Sequence, residues 1–127
     1  MKKTIKTGNA PDAIGPYSQA VVADCSRLLF VSGQIPLDPA TMTIVGETAA
    51  DQCKKVMENL AAILKEAGAG FSDVVKTTIY LFDMNDFGSV NDIYATYFDS
   101  EPPARATVQV ARLPKDVKVE IDAIAVL

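Results

Sequence analysis

Pro102-Pro103-Ala104-Arg105-Ala106-Thr107-Val108-Gln109-Val110 is followed by Ala111-Arg112-Leu113-Pro114-Lys115-Asp116 and then by Val117-Lys118-Val119-Glu120-Ile121-Asp122-Ala123-Ile124-Ala125-Val126. The outer segments read as strands, and the middle one as the turn between them. Strand side chains alternate between faces, so Arg105, Thr107 and Gln109 share one face while Ala106, Val108 and Val110 share the other. In the second strand Val117, Val119, Ile121 and Ala123 point one way; Lys118, Glu120 and Asp122 point the other. Each apolar-rich strand therefore carries charge on a face that alternation leaves half buried. Charges on the outer faces of neighbouring strands are ordinarily solvated, or form a surface pair worth about 0–1 kcal/mol. The sharper alternative is an arginine that fixes a small anion and a glutamate that holds a water beside it.

Upstream, the pattern predicts strands over Lys2–Thr7, Gln19–Ala23, Leu28–Gln34 and Val74–Phe82. Asp24-Cys25-Ser26-Arg27 reads as the four-residue turn of a hairpin joining the second and third strands. Two helices are expected. Over Thr48–Ala67, Cys53, Val56, Met57, Leu60, Leu64 and Ala67 follow the three-four spacing of one buried face, and Gly68 and Gly70 stop the helix. Over Asp86–Asp99 the apolar face is Phe87, Val90, Ile93, Tyr94, Tyr97 and Phe98, with Asp83–Asn85 supplying caps and Pro102 and Pro103 ending it. The element order is β-β-β-α-β-α-β-β, an α+β chain with a six-stranded mixed sheet. Right-handed crossovers put both helices on one face of it. The opposite face stays open, and its apolar residues call for a second copy of the chain as cover.

With 127 residues, 49% of them apolar, the chain suits one domain spanning 1–127 with a core that needs neither metal nor disulfide. Its 12 basic and 16 acidic residues leave a net charge of −4, a poor footing for nucleic-acid binding. There is no histidine, which removes the commonest general base and metal ligand and any Ser-His or Cys-His nucleophile. Cys25 and Cys53 are too few and too isolated for a zinc site or a disulfide framework; Cys53 falls on the first helix's apolar stripe. No signal peptide or membrane-length apolar run is present, so a soluble, reducing, cytoplasmic setting is expected.

Two residues outside the closing strands invite closer reading. Tyr17 closes the Pro- and Gly-punctuated loop Gly8–Gln19; it either packs at a strand entry or presents its phenol to a pocket. Gly33 interrupts a strand-like run, which means either a bulge or the close approach of a ligand.

The closing segments Pro103-Ala104-Arg105-Ala106-Thr107-Val108 and Ala111–Ile121 resemble the signature of the Rid (reactive intermediate deaminase) family, in particular its RidA or YjgF branch. Ala10-Pro11, Ile14–Gln19, Val31–Pro36, Val75–Thr78, Leu81–Phe87 and Ala123–Val126 match in order along almost the whole chain. The resemblance implies a chorismate-mutase-like fold, homotrimers with clefts between adjacent subunits, and last two strands that need not be neighbours. It implies that Arg105 holds a substrate carboxylate, that Glu120 sits beside the attacking water, and that Tyr17, Ser32, Gly33 and Thr107 line the binding site. At Thr107 the branch commonly has cysteine, so thiol-dependent behaviour is not carried over. The implied reaction is cofactor- and metal-free hydrolysis of 2-aminoacrylate, its tautomer 2-iminopropanoate, and 2-iminobutanoate to 2-keto acids and ammonia. Such a reaction would protect a cell from reactive products of pyridoxal-phosphate-dependent dehydratases.

Two other readings remain open. A trimer that binds small carboxylates, or a chaperone-like module, would need Arg105 but not Glu120. A ribonuclease or translation inhibitor, an activity attributed to some relatives, is opposed by the acidic balance, the absence of histidine and the lack of a carboxylate cluster for two metals.

Overall fold

The computed structural model describes residues 1–127. Its strands are β1 (Lys2–Ile5), β2 (Ala20–Ala23), β3 (Leu28–Gln34), β4 (Val74–Leu81), β5 (Ala104–Gln109) and β6 (Val119–Val126), and its helices α1 (Ala49–Glu66) and α2 (Phe87–Ala95). The expected order of elements is met.

α1 begins where Thr48 stands as the N-cap, its hydroxyl accepting from the Asp51 N–H, and it ends at Gly68, whose φ of +79° suits a residue without a side chain. The predicted stripe is the buried one: Cys53, Val56, Met57, Leu60 and Leu64 are all at most 1% exposed. They meet Ile79, Val119, Ile121, Ala123 and Ala125 from the sheet and Val90 and Tyr94 from α2 in one core. Each large aliphatic side chain buried there contributes about 1.5–3 kcal/mol. α2 is shorter than its periodicity suggests. Tyr97 and Phe98 lie just past its end and still pack inward, stacking on Phe71 and Tyr94 at centroid distances of 4.7–5.4 Å.

The main sheet runs β3-β6-β4-β5, with β6 antiparallel to both β3 and β4 and β5 parallel to β4. The last two strands are therefore separated by β4. Their connection crosses the end of β4, where the Val110 N–H donates to Leu81 O and the Phe82 N–H to Lys118 O. An Arg112–Asp116 pair with contacts of 2.6 and 3.0 Å ties that loop to itself.

All six strands form and the sheet is mixed, but the ladder divides. β1 and β2 make a separate antiparallel ribbon, joined to β5 only by a parallel bridge between Ser18 and Ala104. Pro102 and Pro103 lack the N–H groups that would extend that bridge. Lys2 also pins the ribbon, donating to Val74 O and Glu101 O. The expected β2–β3 hairpin does not form. Asp24–Arg27 has no glycine for a tight reversal, so the chain changes sheets instead: β2 pairs with β1 and β3 with β6.

Register fixes which side chains share a face. Thr77 lies between Arg105 on β5 and Ala123 on β6, and Ile79 between Thr107 and Ile121; these line the face that the helices cover. Tyr80 lies between Val108 and Glu120 on the other face. That second face is open, and Phe30 on it is 70% exposed, with Leu28, Phe82 and Val108 also uncovered.

Candidate functional site

β5, α2 and the loop before Tyr17 enclose a cleft of about 350 Å³ whose walls include Ile14, Tyr17, Met84, Phe87, Asn91, Arg105 and Thr107. β5 delivers Arg105 and Thr107 to it because they are two residues apart on one face. The loop is held in place by Gln19, whose side-chain amide donates to Thr7 O and Pro11 O and accepts from the Thr7 N–H. Tyr17 is turned inward by the bond from its N–H to Gly15 O.

Arg105 is the centre of the cleft. Its guanidinium carbon lies 5.0 Å from the ring of Tyr94, 5.3 Å from Tyr17 and 5.6 Å from Phe87, a three-sided aromatic enclosure. Nη1 donates a 2.6 Å hydrogen bond to Asn91 Oδ1. No carboxylate lies within 4.0 Å; the chain's ion pairs are Lys55–Glu58 and Arg112–Asp116. Burial pulls the Arg105 pKa below its usual value while the Tyr94 and Tyr17 hydroxyls oppose that pull. An arginine remains charged through such a change. Tyr94 is fixed beneath it by a 2.8 Å hydrogen bond with Thr77, and burial pushes its pKa up to about 12.

Thr107 Oγ1 is buried and has no hydrogen-bond partner. An unpaired hydroxyl of this kind costs about 1–3 kcal/mol, and this one belongs to a residue lining the cleft. Asn91 escaped the sequence reading, although a signal existed. It stands four residues after Phe87 and three before Tyr94, so a polar amide shares a helical face with two inward-facing aromatics.

The remaining candidates lie elsewhere. Glu120 and Ser32 are on the open face, and Gly33 is in a β3 bulge between Val31 and Gln34. The bulge is present, and the group that approaches the glycine within the chain is the Glu120 carboxyl, which a Cβ at Gly33 would overlap. The carboxylate thus rests on bare backbone. Burial raises the Glu120 pKa above its ordinary value, and the nearby Asp122 charge adds to this. Gly33 also borders a second hollow of about 380 Å³ between the 35–42 loop and α1. Arg105, Tyr17 and Thr107 therefore come together, as do Gly33 and Glu120, but within one chain the sheet separates the two groups.

Fold and cleft define an α+β protein with a half-buried guanidinium lining a cleft of about 350 Å³. Residues 7–127 match the family described as endoribonuclease L-PSP, and the chain belongs to that family, whose members include the Rid proteins. It is 53% identical to the mouse 2-iminobutanoate/2-iminopropanoate deaminase, covering 99% of this chain and 92% of the relative. Among solved structures, Escherichia coli TdcF with bound serine is 46% identical, covers 98% of each chain and superposes with a TM-score of 0.76. RidA from the Antarctic bacterium Psychrobacter sp. is 41% identical, covers 98% of this chain and 99% of that one, and gives a TM-score of 0.77.

Proposed function

We propose that the protein is a 2-iminobutanoate/2-iminopropanoate deaminase, hydrolysing short 2-imino acids and their enamine tautomers to 2-keto acids and ammonia. The observation that carries this reading is Arg105, a half-buried cation in an aromatic enclosure with no carboxylate of its own. A guanidinium so placed gains most from an anionic ligand, and a planar carboxylate can accept two parallel N–H bonds from it. Thr107 lines the same cleft two residues along β5 from this anchor. The serine bound by TdcF and the substrates named for the mouse enzyme are both small and carry a carboxylate.

The chemistry asks little more of the protein. Glu120 accepts a proton from a water as its oxygen adds to C2 of the protonated imine. The acid then returns that proton to the nitrogen of the carbinolamine, the C–N bond breaks as ammonia leaves, and the C2 hydroxyl gives up its proton to leave the ketone. A positioned carboxylate contributes about 10²–10⁴-fold as a general base, and fixing water and imine together adds proximity. Because Arg105 and Glu120 face opposite sides of one sheet, the reaction needs Glu120 of the partner subunit at the mouth of the Arg105 cleft. A homotrimer whose open faces pack together, covering Phe30 and its neighbours, supplies that arrangement. The protective role against reactive dehydratase products follows from this activity.

The face-to-face separation of the two groups also favours a second reading, a carboxylate-binding protein without turnover. The deciding experiment generates 2-aminoacrylate in place with a serine/threonine dehydratase acting on serine, traps free imine with semicarbazide and follows pyruvate. The deaminase accelerates pyruvate release and Arg105→Ala does not. No acceleration by the folded, assembled protein, with carboxylate binding intact, would instead establish the binder.

A further inference from the structure

Glu120 does not stand alone on the open face. β4 and β6 pair with Tyr80 opposite Glu120 and Thr78 opposite Asp122, so Tyr80, Glu120 and Asp122 project from the same side. The Tyr80 hydroxyl reaches diagonally to Asp122 and donates a 2.9 Å hydrogen bond to Oδ2. Asp122 has no basic partner in the chain. It is therefore an anchored negative charge two residues from Glu120 and on its face.

Within one chain the other groups around Glu120 do not cancel that charge, and the Arg105 cation that the proposed assembly brings to it is common to wild type and every Asp122 and Tyr80 variant. On β6, Lys118 follows the same alternation but is exposed. On β4, Lys76 lies farther along, in register with Ile124, and Tyr80 is neutral. β3 contributes Ser32, Gly33 and Gln34, none of them charged, and Gly33 presents backbone directly beneath the Glu120 carboxyl. α1 and α2 pack on the opposite face.

We propose that Asp122, anchored by Tyr80, is a positioning residue whose fixed charge strengthens Glu120 as the base of the reaction. This rests on the role proposed for Glu120. The physical link is repulsion between like charges, which favours the protonated form of Glu120 and makes its carboxylate the better proton acceptor. Burial of Glu120 acts in the same direction. Asp122 touches neither substrate nor water; it acts through Glu120 alone.

The test reads Glu120 directly. The carboxyl carbon of Glu120 is followed by ¹³C NMR against pH in the assembled wild type, Asp122→Asn, Asp122→Glu and Tyr80→Phe, with Glu120→Gln giving the assignment. Asparagine can still accept the Tyr80 hydrogen bond, so Asp122→Asn removes charge and leaves the tether. The Glu120 midpoint falls in Asp122→Asn, falls less in Tyr80→Phe and stays near wild type in Asp122→Glu. The acid limb of the kcat/KM profile moves with it, and kcat on the plateau drops about two- to threefold in Asp122→Asn. An unchanged Glu120 midpoint in Asp122→Asn overturns the proposal. Should that variant fail to assemble, equal midpoints in Tyr80→Phe and wild type overturn it instead. A lowered midpoint together with full activity of Glu120→Gln would leave the coupling standing and overturn the role of Glu120 itself.

Discussion

The two faces of the central sheet are built from the same strands and are put to different ends. The helix-covered face is closed by Val56, Met57, Leu60, Ile79 and Ile121, none more than 1% exposed, and at its β5 margin this packing opens into the Arg105 cleft. The open face carries Phe30 at 70% exposure beside an anionic row of Glu120 and Asp122. A cation can be held among aromatic rings inside one chain because its delocalised charge is weakly hydrated and the rings attract it. The proposed carboxylate base lies instead on the open face, which the proposed homotrimer would cover. The comparison teaches that one sheet can present opposite charges to opposite sides, from β5 and β6 with β4 between them, so that the proposed site needs a second copy of the chain to bring them together.

Replacing Arg105 tests the closed face most severely. Arg105→Ala is expected to lower kcat/KM by about 10²–10⁴-fold, the worth of two charge-assisted hydrogen bonds, with steady-state kinetics as the measure. The melting temperature should hold, since a desolvated cation without a counter-charge is being removed.

Leu60→Ala strikes the same face away from the cleft. It should cost about 2–5 kcal/mol in denaturant unfolding while leaving the rate per folded molecule unchanged. On the open face Gly33→Ala sets a methyl against the Glu120 carboxyl, which must turn away. A fall in kcat of about 10–10²-fold with unchanged carboxylate affinity is expected, because positioning and general-base help are lost together. Thr107→Val removes a hydroxyl that has no partner in the chain. Stability should rise by about 1 kcal/mol and KM should grow about 3–10-fold, as read by melting and by kinetics.

The smallest effect concerns pH. The Glu120 pKa is raised in the folded chain, by burial first and by Asp122 second. Its favourable contribution is complete below the unfolded value and is lost as pH rises through the folded one. Glu120→Gln should therefore melt higher than wild type at neutral pH. The difference should shrink as pH falls towards the ordinary glutamate value of 4.5 and vanish below it.

Much of this architecture was legible in the chain. The α1 stripe, its Thr48 cap and the alternation of β5 and β6 each depend on neighbours three or four residues apart or fewer, and each is found; Asp83 instead caps the short turn Met84–Asp86, and α2 starts without a side-chain cap. What alternation cannot show is how one strand's faces relate to another's. Arg105 and Glu120 each stand opposite the apolar set of their own strand, yet only the register through Thr77 and Tyr80 puts them on different sides. The β2–β3 hairpin failed for a similar reason: adjacency along the chain does not choose a partner when β6 offers β3 a longer ladder. Asn91 was missed because an amide within an apolar helical face looks like an interruption until Arg105 is seen to need it.

Subunit mixing tests the central claim, that one site draws on two copies. Arg105→Ala and Glu120→Gln proteins, each inactive or nearly so, are unfolded together in equal amounts, refolded, and assayed for pyruvate release from 2-aminoacrylate. A cleft that takes Arg105 from one subunit and Glu120 from the next is intact with a chance of about one in four, so about a quarter of wild-type activity should return. No recovery, in a sample shown to contain mixed assemblies, would mean that Arg105 and Glu120 do not serve one site.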